Sequence, residues 1–79
     1  MRIQLYNRGT AQGKKLLSDL DEVCHRLQLD FDPEFINDMG KVYSRGLTGD
    51  TILLINNEVA LIDKYPDQKE LEAIIQDYL

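Results

Sequence analysis

Residues 51 to 62 read TILLINNEVALI, and their reading decides the fold. Thr51-Ile52-Leu53-Leu54-Ile55 is apolar almost throughout, the pattern of a central strand covered on both faces. Asn56-Asn57 supplies two residues that tolerate the positive φ angles of a tight hairpin. Val59-Ala60-Leu61-Ile62 returns as the partner strand.

Upstream, Arg2 to Tyr6 alternates polar and apolar residues rich in β-formers and reads as a first strand. Asn7 to Ala11 is then a loop, and Thr10 is placed to cap the helix that follows. From Gln12 to about Gln28, Leu16, Leu17, Leu20, Val23, Cys24 and Leu27 trace one face of that helix. Residues 29 to 36, LDFDPEFI, alternate again, and Pro33 suits an edge strand better than a central one. Asn37 is the expected cap of a short helix carrying Met39, Val42 and Tyr43, with Gly46 ending it. Downstream of the hairpin, Asp67 and Glu70 form a capping-box-like start, and Leu71, Ile74, Ile75 and Tyr78 give a final helical stripe. The order is β-α-β-α-β-β-α. A ferredoxin-like fold would need a strand directly after its second strand and another at the end, and neither is present.

A chain of 79 residues makes one domain, 1–79, with a modest core. Nine basic against fourteen acidic residues give a net charge of −5, so nucleic acid is not the expected partner. No window is apolar enough to span a membrane, and the five-residue apolar run at the amino terminus is too short for a signal peptide. A single cysteine forms no internal disulfide, and the expected location is the cytoplasm.

The loop YNRGTAQGKKLL, residues 6–17, opens a helix and invites a phosphate-loop reading. Gly9 and Gly13 are separated by three residues where the Walker pattern needs four. Lys14 is followed by Lys15 rather than by a hydroxyl that meets magnesium. No nucleotide cofactor is expected. Asp19, Asp21 and Glu22, with Asp30 and Asp32 beyond, form an acidic run read as a solvated face, without His or Cys at metal-ligand spacing.

The order of elements, the IQLY strand before the loop, GLT at 46–48, the LLINNEVALI hairpin and the helix after DKYPDQKEL together resemble a known family. It is the small thioredoxin- or glutaredoxin-like redox-active disulfide proteins of bacteria and archaea. The resemblance covers nearly the whole chain. It implies a thioredoxin-like α/β fold with a four-stranded mixed sheet and helices on both faces. It also implies a Cys-X-X-Cys pair at the start of the first helix, whose dipole favours a thiolate. Carried over by spacing, those two positions hold Thr10 and Gly13. The family's cis-proline, just before the third strand, falls on Thr51 after Gly49 and Asp50, where an ordinary trans peptide is expected.

With both signatures absent, no catalytic residue is assigned. The expected site is a partner-binding groove made of Gly9, Thr10, Ala11, Gln12, Gly13 and Lys14 facing Thr48, Asp50 and Thr51. It would offer backbone donors, the Thr10 and Thr51 hydroxyls, and the opposed charges of Lys14 and Asp50. Gly13, on the side of Leu16 and Leu20, is expected to ease packing. The expected partner is a protein or peptide, with the chain a monomer or homodimer, and the edge strand at 31–36 is a further point of strand pairing. The alternative is a single-cysteine redox or glutathione-linked protein acting through Cys24. Adjacent helix residues point about 100° apart, so Cys24 is expected in the core and His25 in solvent, which argues against a Cys–His pair.

Overall fold

The computed structural model describes all residues, 1–79. Its elements are β1 (Ile3–Asn7), α1 (Ala11–Arg26), β2 (Glu34–Ile36), α2 (Gly40–Tyr43), β3 (Thr51–Ile55), β4 (Glu58–Ile62) and α3 (Gln68–Gln76). The sheet runs in the order β2-β1-β3-β4, with β1 and β2 parallel and the other neighbours antiparallel. This is the thioredoxin-like arrangement, a mixed four-stranded sheet with helices on both faces.

Successive residues of a strand point to opposite faces, and here the two faces carry two cores. Ile3, Leu5, Leu53 and Ile55 pack with Leu16, Leu20, Val23 and Cys24 of α1 and with Leu71 and Ile75 of α3. Tyr6, Ile52 and Leu54 turn the other way, against Met39 and Val42 around α2. β3 is buried along its whole length, as its unbroken apolar run requires. The accessible surface of 4739 Å² is close to the ~4,900 Å² expected for a compact 9.1 kDa protein, so the chain closes its own core.

The turn and cap residues do what their chemistry allows. Asn56 and Asn57 take φ of 53° and 66°, and Gly46 takes φ of 81° after α2. The Thr10 side chain accepts from the Gly13 N–H, and that of Asp67 from the Glu70 N–H, each satisfying a free donor at a helix start.

Three local expectations need correction. The strand expected over 29–36 is ladder-paired only from Glu34 to Ile36, opposite Gln4 to Tyr6. Pro33 has no N–H to pair, and the apolar alternation of Leu29 and Phe31 reflects half-buried side chains packed on the α1–α3 core. Asn37 does not cap α2. Met39 holds the cap position without a side-chain bond, and the Asp38 carboxylate accepts from the Gly40 N–H instead. The Asn37 amide, oriented as its neighbours require, donates to the backbone oxygens of Asn7 and Arg8 at 3.2 and 3.1 Å.

The third correction concerns Asp19, which does not lie on a solvated face. Gln68 of α3 donates to its carboxylate at 3.0 Å and Lys15 approaches it at 2.9 Å, leaving the side chain 14% exposed. The Gln68 hydrogen bond, then the Lys15 one, holds the Asp19 carboxyl below the usual carboxylate range. A depressed carboxyl stabilises the fold fully above its unfolded value near ~3.9, and that contribution is lost as pH falls through the lower folded value. Asp19→Asn is therefore expected to flatten the acid limb of unfolding free energy below about pH 4. Parallel wild-type and variant curves between pH 7 and pH 2.5, by denaturant titration, would rule out this contribution.

Candidate functional site

The site lies where the last residues of β1 and the first of β3 meet the amino terminus of α1. Asn7 and Thr51 are directly opposed across the β1–β3 ladder and both are fully buried. By strand alternation they share the face of Ile3, Leu5 and Leu53, which turns them toward α1. Asn7 Nδ2 donates to Thr51 Oγ1 at 2.7 Å and lies 3.2 Å from Thr10 Oγ1 and 3.3 Å from the Asp50 carbonyl. Asn7 Oδ1 accepts from the N–H groups of Gly9 at 2.7 Å and Thr10 at 2.9 Å. One amide thus fastens both loops of the site. Gly9 makes the turn between β1 and α1 with φ of 92°.

A second clamp holds the Thr48–Thr51 side. Asp63 Oδ1 accepts from the N–H groups of Asp50 and Thr51 at 2.8 and 2.9 Å, while its own N–H donates to the Thr51 carbonyl at 2.8 Å. Two tyrosines complete the frame. Tyr65 shares a hydrogen bond of 2.7 Å between its hydroxyl and Thr51 Oγ1. Tyr43 donates to the Gly49 carbonyl and accepts from Arg8, both at 3.0 Å. No buried side-chain polar atom lacks a partner. Tyr43, Thr48, Gly49, Asp50 and Asp63 line a shallow cavity of about 350 Å³ beside the loop.

Of the expected groove residues, Thr10, Asp50 and Thr51 meet around the Asn7 amide, and no cavity is lined by both the Gly9–Lys14 and the Thr48–Thr51 segments. Thr10, Ala11, Gln12, Lys14, Thr48 and Asp50 are exposed, and Gly9 is half-buried. Gly13 and Thr51 are buried. The Thr51 hydroxyl, expected to face a partner, is consumed by Asn7 and Tyr65 and belongs to the frame. The expected opposition of Lys14 and Asp50 is also corrected. Arg8 is the cation near Asp50, at 3.9 Å, because its guanidinium is already held by Tyr43. Lys14 points to solvent, and Lys15 pairs with Asp19 one turn along.

Every peptide bond is trans, including that before Thr51. Cys24 is 2% exposed, facing the sheet in the second half of α1, well away from the loop. Burial pushes its thiol pKa up, and the charges of Asp21 and Asp32 push it further the same way. His25 is exposed. The largest depression, about 640 Å³, lies elsewhere, between α1 and the segment before β2. It is lined by Leu17, Asp21, Glu22, His25, Arg26, Asp32 and Pro33. No cluster of His, Cys, Asp or Glu has the arrangement to hold a metal ion.

Asn7, Asp63, Tyr43 and Tyr65 are the site residues that reading the sequence missed. For Asn7 a signal was present: continuing the alternation of Ile3 and Leu5 by one step puts Asn7 on the buried face.

No protein-family model matches the chain, and no solved structure matches it. The chain is 27% identical over 75 residues to a thioredoxin of Methanothermobacter thermautotrophicus, an alignment covering 95% of this chain and 97% of the relative. Element order, sheet order and this likeness along the chain all support one assignment: the chain has a thioredoxin-like fold.

Proposed function

We propose that the protein is a non-catalytic, thioredoxin-fold binding or adaptor module. It would engage a protein or peptide partner in the cytoplasm through the rim formed by Gly9–Lys14 and Thr48–Asp50. The observation that carries this reading is the hydrogen-bond network of Asn7, Thr10, Thr51 and Tyr65, centred on the buried Asn7 and Thr51, at the place where the family resemblance puts a reactive thiol pair. On this reading the two positions the resemblance gives to thiols hold Thr10 and Gly13, and the side chains around them hold the loops. Rigidity of this kind serves recognition, because a pre-ordered surface loses less freedom when a partner binds.

The rim presents Thr10, Gln12, Lys14, Thr48 and Asp50 toward solvent, flanked by Arg8 and by the exposed rings of Tyr43 and Tyr65. Tyrosines whose hydroxyls are tethered inward offer apolar ring surface at low entropic cost. Strand pairing is a weaker mode here. One free edge is the three-residue β2 behind Pro33, and the other, β4, pairs with β3 through an irregular register at Leu53/Leu54.

The test is affinity of a partner isolated on immobilised wild-type protein, titrated against single-site variants. Gln12→Ala, Lys14→Glu and Asp50→Lys change exposed rim residues outside the buried network. The latter two are expected to weaken binding at least tenfold, with Lys69→Glu on the outside of α3 as the unaffected control. Equal affinity of all four variants would remove the rim as the binding surface.

A further inference from the structure

Gly13 is a buried glycine in the first turn of α1, without the positive φ that would make glycine obligatory. Glycine is otherwise a poor choice inside a helix. Its cause lies across the loop. A Cβ built on residue 13 would overlap the carboxamide of Asn7, with the Cγ, Oδ1 and Nδ2 atoms as its three nearest neighbours. Such a contact is relieved only if the neighbour moves.

Asn7 is poorly placed to move. Its side chain is fully buried, its nitrogen is held by Thr51 Oγ1 at 2.7 Å, and its oxygen is held by the Gly9 and Thr10 N–H groups. Rotating the amide away would strand all of those partners, and an unsatisfied buried donor or acceptor is costly. Thr10 is tied to the same arrangement, since its hydroxyl accepts from the Gly13 N–H at 3.1 Å while lying 3.2 Å from Asn7 Nδ2.

We infer that the Asn7 amide and a side chain at position 13 are mutually exclusive, and that Asn7 is the positioning residue that orders this loop and closes it to side-chain chemistry at position 13. One volume beneath the helix start holds either the residue 7 amide or a residue 13 side chain. While Asn7 fills it, two facing reactive side chains at positions 10 and 13 have no room. The pairing is a property of the loop itself and stands whether or not a partner binds at the rim.

A four-member cycle tests this: wild type, Gly13→Ala, Asn7→Ala and Asn7→Ala/Gly13→Ala. In the wild-type background Gly13→Ala is expected to raise the unfolding equilibrium constant about tenfold or more, as overpacking does. In the Asn7→Ala background the same change is expected to be neutral or favourable, because alanine is the better helix residue. Equal effects in the two backgrounds would overturn the exclusion.

Amide hydrogen exchange covers the case in which Gly13→Ala alone does not fold. Asn7→Ala is expected to accelerate exchange at Gly9 and Thr10 while Leu53, in the core, keeps its protection relative to global stability. Unchanged exchange at Gly9 and Thr10 would remove Asn7 as the positioning residue.

A thiol probe reads the chemical consequence. In Thr10→Cys/Gly13→Cys and Asn7→Ala/Thr10→Cys/Gly13→Cys, oxidised glutathione takes two electrons from the two thiols. The protein loses two protons, one S–S bond forms, and two molecules of reduced glutathione leave. Positions three apart at a helix start lie within disulfide reach. The disulfide is expected to form at least tenfold faster with alanine at position 7, read by mass spectrometry. Equal rates would overturn the inference.

Discussion

Cys24 in the folded protein is expected to react with a thiol reagent at least a hundredfold more slowly than in denaturant at the same pH. Its side chain is 2% exposed and packs in the core with Leu20, Val23 and Leu71, so reagent reaches it only after the helix or the whole domain opens. A domain of this size is stable by roughly 4–12 kcal/mol, which keeps the open fraction near or below about one in a thousand. Burial, the largest influence, together with Asp21 and Asp32 raises the thiol pKa. Native thiolate is thus scarcer than in the unfolded chain at every pH up to and beyond the ordinary ~8.5. The measurement is a reaction time course from pH 5 to pH 9 with and without denaturant. Fast native reaction with a midpoint below ~8 would reverse the ranking and favour a single-cysteine redox protein over an adaptor. Slow reaction would rule out Cys24 as a reactive thiol of the folded protein.

What could be read from the sequence was local or periodic. The hairpin at Asn56-Asn57, the Thr10 and Asp67 caps and the Gly46 stop each depend on neighbours within a few residues, and each stands in the structure. β3 announced itself because a strand covered on both sides has no polar face to hide. The missed features depend on distant partners. Asn7 beside Arg8-Gly9 has the composition of a turn, and only the Thr51 hydroxyl, 44 positions away, makes it a buried hub. Asp19 looked like one charge in an acidic run until Gln68 of α3 was found against it. Leu29 and Phe31 show a different limit, since alternation reports which side chains are buried and says nothing of whether the backbone joins a ladder.

The same contrast between distant and local support bears on recognition. Thr10 and Asp50 lie on separate loops, tied to each other by the Asn7 amide and by the Arg8–Tyr43–Gly49 bridge, while the Asp63 carboxylate fixes the Asp50 side. A surface built from two loops is therefore only as ordered as the ends of β1 and β3. Those ends depend on the core beneath them.

Leu53→Ala is accordingly expected to have the largest effect on stability of any change outside the site, a loss of about 3–5 kcal/mol. Leu53 is fully buried at the middle of β3, paired with Leu5 on one side and Leu61 on the other, and faces both α1 and α3. Truncation removes the transfer energy of the lost methyl groups and leaves a cavity between two helices that rest on each other as well as on the sheet. Against a total of roughly 4–12 kcal/mol, such a loss takes a large fraction of the stability of a 79-residue chain. Leu54→Ala, on the opposite face, is expected to cost less, because its cover is the single-turn α2 and the segment around it, which can settle into the space more easily. Val59→Ala, at a position 42% exposed, is expected to change stability by less than about 0.5 kcal/mol. Urea titrations of the three variants measure the series, with an unchanged slope showing that the unfolded reference is the same. A Leu53→Ala loss below about 1 kcal/mol would mean that the α1–α3 layer collapses onto the sheet without strain. The packing of that layer would then be too loose to hold Asn7 and Thr51 in their ladder register.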